Sequence, residues 1–515
     1  MTQALPTGGA DPRRWRALTV SLVGAFMVLL DVSIVNVALP SIESEFGVSA
    51  GTVQWVVSGY ALAFGLALVP AGRLGDTIGR RRMFLIALSA FVLTSALTGA
   101  AQTTEWLLAA RLLQGVAGGM LIPQNVGLIQ DMFQGAERAR AFGVLGSVVG
   151  LSTAVGPVLG GLILNLAGGA GGWRWVFYVN VPIGLVALVL AARLVPARST
   201  TGPPRTHLDL VGSLLLGAGV LALLLPVVST ESGGASWLWW LLVPAALLLA
   251  GFARWEVRAA GRGRTPLIDP QLARTAGFPT GAAIALVYFT GFTGIWVVLA
   301  LFFQDGLGYS PLRSGLAVTP FALGSAVSAL LAGRAVPRFG RWLVVAGLLA
   351  AALGMGATAL LLRTVGGDTA AWAAAGPLLV AGIGGGMVAS PNTSLSLESV
   401  PAWMAGVAGG ALQTAQRIGA ALGTALLATV YYHALAGTGR GFGAAVSDAL
   451  LCAAGLMLLA MLIALGDLAA GRRRSLPPPP QGMTGTLAGV VSRSTPHEGV
   501  TAQSCAHPVL VPDAR

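Results

Sequence analysis

Residues 72–84 read Gly72-Arg-Leu-Gly-Asp-Thr-Ile-Gly-Arg-Arg-Arg-Met-Phe84. This stretch is short, rich in glycine and strongly basic, and it separates two long apolar runs. Its glycines predict a tight turn, because glycine adopts positive φ angles at little steric cost. One acid, Asp76, lies among four arginines, Arg73, Arg80, Arg81 and Arg82. Since each flanking run is long enough to cross a bilayer, the stretch predicts a membrane loop whose basic cluster is held on one side.

The composition is that of a membrane protein. Of 515 residues, 55% are hydrophobic and only 10% are charged, and the mean hydropathy is +0.78, which indicates a polytopic membrane protein. The net charge of +12 does not indicate a nucleic-acid partner, because the basic residues are dispersed between apolar runs. All 31 of them are arginine, and with the heavy use of alanine and glycine this indicates a GC-rich bacterial genome.

A helix that spans a bilayer needs about 20 apolar residues. By that measure the chain contains fourteen candidate spans, near residues 17–39, 52–71, 83–101, 106–127, 140–165, 175–195, 208–229, 236–254, 278–303, 312–333, 342–363, 371–391, 404–432 and 444–470. The first run is longer than the apolar core of a signal peptide, about 7–15 residues, and lacks a small-residue cleavage site. We therefore interpret it as a retained first helix.

The arginines give the orientation of these spans. With a cytoplasmic amino terminus, 25 of the 31 arginines fall in segments on the cytoplasmic side. Only four fall in the outer loops, namely Arg174, Arg313, Arg363 and Arg440. A single misplaced helix would reverse this bias further along the chain, so the positive-inside rule favours fourteen spans with both termini in the cytoplasm.

An internal repeat divides the spans into two sets. The stretch Gly333-Arg-Ala-Val-Pro-Arg-Phe-Gly-Arg341 is similar to 72–82, but Val336 and Pro337 stand near the place of the acid. If the seventh and eighth spans are an insert, each stretch follows the second helix of a six-helix unit, as in parallel-repeat secondary transporters. The predicted fold is all-α, with a cytoplasmic segment (1–16), a six-helix bundle (17–196), a linker with two extra helices (197–275), a second six-helix bundle (276–470) and a disordered cytoplasmic tail (471–515).

The Gly72–Arg82 segment resembles the signature loop between the second and third helices of the major facilitator superfamily, and we call it the signature segment. Three further stretches resemble signatures of the fourteen-helix drug:proton antiporter branch, namely Leu30-Asp-Val-Ser-Ile-Val-Asn-Val-Ala-Leu-Pro40, Arg111-Leu-Leu-Gln-Gly115, and the helix-five residues Gly146, Gly150, Gly156, Pro157, Gly160 and Gly161. Trp173-Arg-Trp-Val-Phe177 and Asn180-Val-Pro-Ile-Gly184 are also similar to that branch. The resemblance covers roughly residues 15–470. It implies the major facilitator fold and an exporter of the multidrug or quaternary-ammonium type.

Asp31 is the first candidate for chemistry. It lies in the first span, roughly 12 Å from the outer end, and an acid in a bilayer costs on the order of 2.5–3.5 kcal/mol, so it must face a partner or water. Because an apolar environment favours the neutral form of a carboxyl group, we expect Asp31 to bind protons and, by turns, the positive charge of a cationic substrate. The alternative is a structural ion pair with Arg111, roughly 9 Å from the outer end of the fourth span.

Arg111 belongs to a polar stripe with Gln114 and Gly118 at helical spacing. The resemblance implies that Arg111 takes part in the proton relay, and the alternative is that it only neutralises Asp31.

The resemblance also implies that Gly150, Gly156, Pro157, Gly160 and Gly161 form an antiporter motif that keeps the central path closed to leak. We expect Pro157 to bend its helix. Ordinary membrane packing is the alternative for these glycines, since the chain has 72 of them.

The resemblance implies that the signature segment is a conformational latch, a charge network that stabilises one access state and breaks in the other. The latch residues are Gly72, Arg73, Gly75, Asp76, Gly79, Arg80 and Arg81. A segment that only sets topology would need the arginines but not Asp76. We assign no latch acid to the corresponding Gly333–Arg341 stretch.

The candidates for the substrate cavity are Asn36, Trp55, Tyr60, Gln114, Gln413 and Arg417. Arg417 lies near the middle of the thirteenth span beside Gln413 and Gln416, and we expect it to face the central cavity, with helix pairing as the alternative. Trp55 and Tyr60 could instead anchor helices at the membrane interface. Asn36 is five residues from Asp31 and does not share its helical face.

The sequence contains no signal for a cofactor or a metal. Gly382-Ile-Gly-Gly-Gly386 lacks the strand and the Lys-Ser/Thr pair of a nucleotide-binding loop, and the two cysteines indicate neither a disulfide framework nor a metal site. We therefore expect transport that is powered by a proton gradient and not by ATP, and no enzymatic activity.

The predicted function is proton-coupled efflux of amphiphilic, often cationic, drug-like or antibiotic molecules across the bacterial cytoplasmic membrane by alternating access. The expected partners are the substrate, protons and the lipid bilayer, with no nucleic acid, and we expect a monomer. A dedicated exporter of one endogenous metabolite or antibiotic is the nearest alternative, and an importer or receptor on the same scaffold is another. The identity of the substrate is not specified, because hydrophobic cavities bind by shape and weak contacts.

Overall fold

A computed structural model describes residues 13–168, 170–196, 209–231, 236–262, 266–436 and 441–474. These residues form α-helices joined by turns, short 3₁₀ segments and one π-helical segment, Phe302–Gly306. The helices are α1 (Arg13–Phe46), α2 (Ala50–Ile78), α3 (Arg80–Gly99), α4 (Thr104–Met132), α5 (Gly135–Ala167), α6 (Arg174–Tyr178), α7 (Asn180–Leu194), α8 (Leu210–Glu231), α9 (Leu242–Gly261), α10 (Phe278–Leu301), α11 (Pro311–Phe339), α12 (Arg341–Thr364), α13 (Ala370–Ser396), α14 (Ala405–Ala436) and α15 (Phe442–Arg474). One compact unit covers Met1–Gly471, and a second covers Arg472–Arg515, of which only Arg472–Arg474 are described.

Within the described residues, twelve helical segments are long and apolar enough to cross a membrane. The number is thirteen if α5, which bends by 44° between Thr153 and Val158, is one span. The predicted span 208–229 corresponds to α8, whose apolar part, Val211–Pro226, is shorter. The all-α polytopic membrane fold is confirmed, whereas the count of fourteen and the cytoplasmic position of both termini stay predictions.

The domain boundaries also stay predictions. Most of the predicted cytoplasmic segment (1–16) and tail (471–515), and the first part of the linker, lie outside the described residues. The described helices do form two main hydrophobic cores. One contains mostly residues of α1–α7, such as Phe84 and Phe142, and the other contains residues of α10–α15, such as Tyr288 and Leu450.

The signature segment is helical for most of its length, and the predicted tight turn is confined to Gly79. The helix α2 continues to Ile78, Gly79 has a φ of 98°, and α3 begins at Arg80. An L side chain at that φ would be strained, so glycine permits the break. Gly340, with a φ of 52°, makes the corresponding break between α11 and α12. The two similar sequence stretches therefore share a backbone feature.

The helices α1–α7 and α10–α15 contact each other closely near the signature segment, and we call this end of the bundle the signature side. There α2 and α4 pack on α14, and α5 packs on α11 and α13. The side chain of Gln130 donates to the Leu397 carbonyl at 3.0 Å, and Ser147 Oγ donates to the Ala326 carbonyl at 2.8 Å. The hydrogen bonds that Gln130, Arg138, Ser147 and Asp76 make to the other set of helices lie between the signature side and the middle of the bundle. The bundle is closed on the signature side.

The two additional helices α8 and α9 pack on each other, and α8 also contacts α2 and α14. A small apolar cluster joins Val220 and Leu224 of α8 to Leu62 of α2 and Ile418 of α14. The ends of the two helices are joined by polar contacts. Trp255 Nε1 donates to Asp209 Oδ2 at 2.8 Å, and Glu256 accepts the backbone N–H of Ile268 at 2.8 Å.

Candidate functional site

A fully buried carboxylate lies inside the first set of helices. The side chain of Asp31, on α1, is 0% exposed. Its Oδ2 accepts a hydrogen bond from Arg111 Nη1 of α4 at 2.6 Å. Its Oδ1 accepts from Gln114 Nε2 at 3.0 Å and from Asn180 Nδ2 of α7 at 3.2 Å. We call these four residues the Asp31 network, and it connects three helices through one carboxyl group.

Arg111 makes further contacts that fix its position. Its Nε donates to the Val56 carbonyl of α2 at 2.9 Å, and its Nη1 also donates to Gln114 Oε1 at 2.9 Å. The guanidinium carbon lies 4.2 Å from the centre of the Tyr60 ring, a cation–π contact. The positive charge is thereby paired, hydrogen-bonded and stacked, which compensates for its removal from water.

The structure brings Asp31, Arg111 and Gln114 together. Helical spacing in α4 predicts the shared face of Arg111 and Gln114, and the similar depth of Asp31 and Arg111 predicts their contact. Asn180 was missed as a member of the network, although it is a polar residue inside an apolar run and its motif had been noted. Its amide also donates to Ser95 Oγ at 3.1 Å, and Thr98 Oγ1 donates to Gln114 Oε1 at 3.3 Å.

Asp76, the acid of the signature segment, connects the two sets of helices. Its carboxylate accepts the backbone N–H groups of Gly406 at 3.2 Å and Val407 at 3.1 Å. These groups are at the amino-terminal end of α14, where unpaired N–H groups and the helix dipole favour an anion. Arg80 donates to Asp76 at 3.1 Å, so the carboxylate also has a cationic partner.

The other residues of the segment hold α2 and α3 in place. Arg80 also pairs with Asp131 at 2.9 Å and donates to the Gly127 carbonyl, and Arg81 donates to the Ala192 carbonyl of α7. A Cβ atom on Gly72 would overlap the Gly406 backbone, and one on Gly75 would overlap the Gln124 side chain. Asp131, Gln124 and Gly406 were not predicted to take part.

Arg73 is buried, with 3% of its surface exposed, and its positive charge acts on Glu256 of α9. In the second set of helices, Arg341 Nε donates to Asp467 of α15 at 2.9 Å, and its Nη1 donates to Asn392 of α13 at 2.7 Å. In the Gly333–Arg341 stretch, Val336 and Pro337 stand near the place where the signature segment has its acid. The carboxylate that pairs with Arg341 comes instead from α15.

The five residues predicted as an antiporter motif occupy different environments along α5. Gly150 faces α11, where an added Cβ would lie 2.9 Å from the Ala326 nitrogen. Gly156 and Gly160 face Ser33 and Ile34 of α1, whereas Gly161 has no neighbour within 4 Å. The side chain of Pro157 lies outside the described residues, although the 44° bend of α5 falls in the segment that contains it.

The predicted cavity residues are only partly brought together. Tyr60 is buried, and its ring lies 6.1 Å from that of Phe64. The Arg417 guanidinium lies 4.3 Å from the centre of the Phe64 ring, so α14 and α2 meet here. By contrast, Asn36 is exposed and donates to the Val32 carbonyl at 3.3 Å. Trp55 and Gln413 are half-buried.

The sequence of this chain is similar to those of known transport proteins. The sequence profile of the Major Facilitator Superfamily matches residues 21–424. A probable actinorhodin transporter of Streptomyces coelicolor is 38% identical over 82% of this chain and 73% of its own length. A cephamycin export protein of Amycolatopsis lactamdurans is 34% identical over 90% of this chain and 94% of its own.

The fold is also similar to solved structures. The human organic anion transporter MFSD10 has a TM-score of 0.66 at 17% identity, covering 88% of this chain and all of that one. The proton:xylose symporter XylE has a TM-score of 0.64 at 16% identity, covering 89% of this chain and 96% of that one. At these identities the likeness concerns the fold alone. The chain belongs to the Major Facilitator Superfamily and is a multi-pass transporter of the bacterial cytoplasmic membrane, related to exporters of drugs and antibiotics.

Proposed function

We propose that this protein exports amphiphilic drug-like or antibiotic molecules in exchange for protons by alternating access. The observation that carries the proposal is the Asp31 network. A carboxylate inside a membrane protein, removed from solvent and held by residues of three helices, is costly, and ionisable groups of this kind mark proton or substrate pathways. The Asp31 carboxylate accepts hydrogen bonds from three side chains on two neighbouring helices.

The proton step follows from the charges of the network. When Asp31 is ionised, it neutralises Arg111 and holds α1, α4 and α7 together. When Asp31 takes up a proton, Arg111 keeps its charge without a counter-ion in a low-dielectric interior, which is unfavourable. Movement of these helices that gives Arg111 a new partner or water would relieve that cost. Proton binding would in this way favour one arrangement of the helices over another.

The latch step concerns the signature side, which is closed in this structure. Asp76 bonds two backbone N–H groups of α14, and these bonds exist only while α2 and α14 are in contact. The contact stabilises the state in which the substrate path is blocked on the signature side. By the positive-inside rule this side is cytoplasmic, so the stabilised state would accept protons from outside and release substrate there.

The relatives support a second, narrower candidate. Several of the similar proteins carry the name of a single antibiotic, including actinorhodin, puromycin and cephamycin. A dedicated exporter of one metabolite would have the same coupling residues as a multidrug exporter but a narrower substrate cavity. The breadth of the substrate range distinguishes the two candidates.

The test uses the full chain in proteoliposomes with an imposed pH gradient, where proton movement is recorded as amphiphilic compounds are added. Proton flux that starts on addition of a compound and is lost in Asp31→Asn would support antiport. Flux with many unrelated compounds would favour a multidrug exporter, and flux with one would favour a dedicated exporter. Accumulation of substrate in expressing cells would contradict export.

A further inference from the structure

The middle of α14 carries a cation that faces no carboxylate. Arg417 lies over the Phe64 ring at 4.3 Å, and among the described residues no carboxylate oxygen lies within salt-bridge distance of it. The sequence explains this, because the helices α10 to α14 contain no aspartate or glutamate. An arginine in the membrane interior without a counter-ion is costly, and such residues by default have a function.

We propose that Arg417 binds an anionic group of the exported molecule, so that the substrates are acidic amphiphiles such as carboxylates or ionised phenols. The inference rests on the proposed function, because it names the substrate class of the same transporter. It differs from the expectation, based on Asp31 in the sequence, that the substrates are cationic.

Polar groups around Arg417 lack hydrogen-bond partners in the described residues. The Tyr60 hydroxyl is buried without a hydrogen-bond partner, and the charge of Arg417 acts on it. On α14, Gln413 shares the face of Arg417 through i,i+4 spacing, and the part of the chain that the structure describes offers its amide no hydrogen-bond partner. A carboxylate or phenolate would accept hydrogen bonds from these groups, and the charge-assisted bonds from Arg417 would be the strongest of them.

Asp31 does not compete for this role in the present conformation. Its carboxyl group is 0% exposed and accepts three hydrogen bonds, so a substrate cation has no access to it. The Asp31–Arg111 pair is neutral as a whole, and the net charge contributed by Asp31, Arg111 and Arg417 is positive. Phe64 adds an aromatic surface next to the charge, which suits a substrate with both rings and an acidic group.

The experiment compares two dyes that share a xanthene ring system, fluorescein, which is anionic at pH 8, and rhodamine 123, which is cationic. Binding to the purified full chain is measured by fluorescence anisotropy in gluconate buffer. We expect fluorescein to bind, and Arg417→Gln to weaken it by about 10- to 100-fold, as for loss of a hydrogen bond to a charged group. Arg417→Lys should lose less fluorescein affinity than Arg417→Gln, because lysine keeps the positive charge but lacks the forked donor geometry of arginine. Rhodamine 123 binding should not weaken in either variant.

Equal fluorescein affinity in the wild type and Arg417→Gln would overturn the inference. A parallel loss of both dyes would also overturn it, since that indicates a structural role for Arg417. If Arg417→Gln does not fold, Tyr60→Phe and Gln413→Leu each remove a hydrogen-bonding group next to Arg417, and unchanged fluorescein affinity in both would overturn the inference. Replacement of gluconate by chloride is a further arm. Arg417-dependent chloride binding without fluorescein binding would show a site for inorganic anions and would overturn it as well.

Proton flux in proteoliposomes separates this inference from the proposed function. Arg417-dependent fluorescein binding without any proton movement would support the anion site and contradict antiport. Proton flux driven by rhodamine 123 and insensitive to Arg417→Gln would support antiport and contradict the anion site.

Discussion

Arg111 donates a hydrogen bond to Asp31 at 2.6 Å, and the exposed fractions of the two side chains are only 1% and 0%. The pair joins α1 to α4 across 80 positions of sequence. Gln114 and Asn180 complete the hydrogen bonding of the carboxylate, so the pair is part of a network in which loss of one charge affects three helices.

The first prediction concerns this pair. Asp31→Asn leaves Arg111 buried without a counter-ion, and breaking a buried pair in this way costs about 3–5 kcal/mol. We expect a lower unfolding temperature and loss of substrate-driven proton flux. The double variant Asp31→Asn with Arg111→Gln removes both charges, so it should recover much of the stability but none of the proton flux. Proton-coupled transport that persists in Asp31→Asn would disprove the role of Asp31.

The second prediction concerns the latch. Asp76→Asn removes the charge that accepts the Gly406 and Val407 N–H groups, and loss of such bonds to a charged group should shift the conformational equilibrium by about tenfold or more. Spin labels at Arg140→Cys and Arg334→Cys, both exposed positions near the signature side, would report a new population at longer distance.

Arg82→Gln is the matched control for the latch, because Arg82 lies in the same segment but is exposed and is not one of the latch residues. It should leave the distance distribution unchanged. Normal turnover and an unchanged distance distribution in Asp76→Asn, at normal expression, would mean that the signature segment sets topology and does not act as a latch.

The third prediction uses two glycines of α5. Gly150→Leu places a side chain against the Ala326 backbone, where even a Cβ atom would lie 2.9 Å from the nitrogen. It should keep α5 and α11 apart and reduce transport strongly. Gly161→Leu enters open space and should keep near-normal transport rates. Wild-type rates in Gly150→Leu, measured with dye efflux at matched expression, would show that this close contact is not required.

The fourth prediction separates a buried ion pair from an exposed one. Arg341 is 8% exposed and pairs with Asp467 at 2.9 Å, so Asp467→Asn should destabilise the protein by about 1–3 kcal/mol. Arg313 and Asp368 lie 2.7 Å apart but are 46% and 83% exposed, so Asp368→Asn should change stability by less than about 0.5 kcal/mol. Thermal unfolding in detergent compares the two. Equal effects would contradict the importance of the Arg341 contacts.

The sequence by itself determined the membrane class and the approximate positions of most helices, because apolar runs of spanning length are visible without any knowledge of packing. It also determined that Asp31, Arg111 and Gln114 are unusual, because a polar residue in such a run is costly wherever the helix packs. Helical spacing in α4 placed Arg111 and Gln114 on one face. These are local properties of the chain.

Only the tertiary structure decided which distant groups complete these sites. Asn180 is 149 positions from Asp31, and Asp467 is 126 positions from Arg341. Because these helices are apolar on every side, their sequences carry no pattern that shows which face turns toward a neighbouring helix. The latch partner was hidden for a different reason. Asp76 bonds to backbone N–H groups 330 and 331 positions away, and because nearly every residue has such a group, no side chain marks the ones that a folded helix end leaves unpaired.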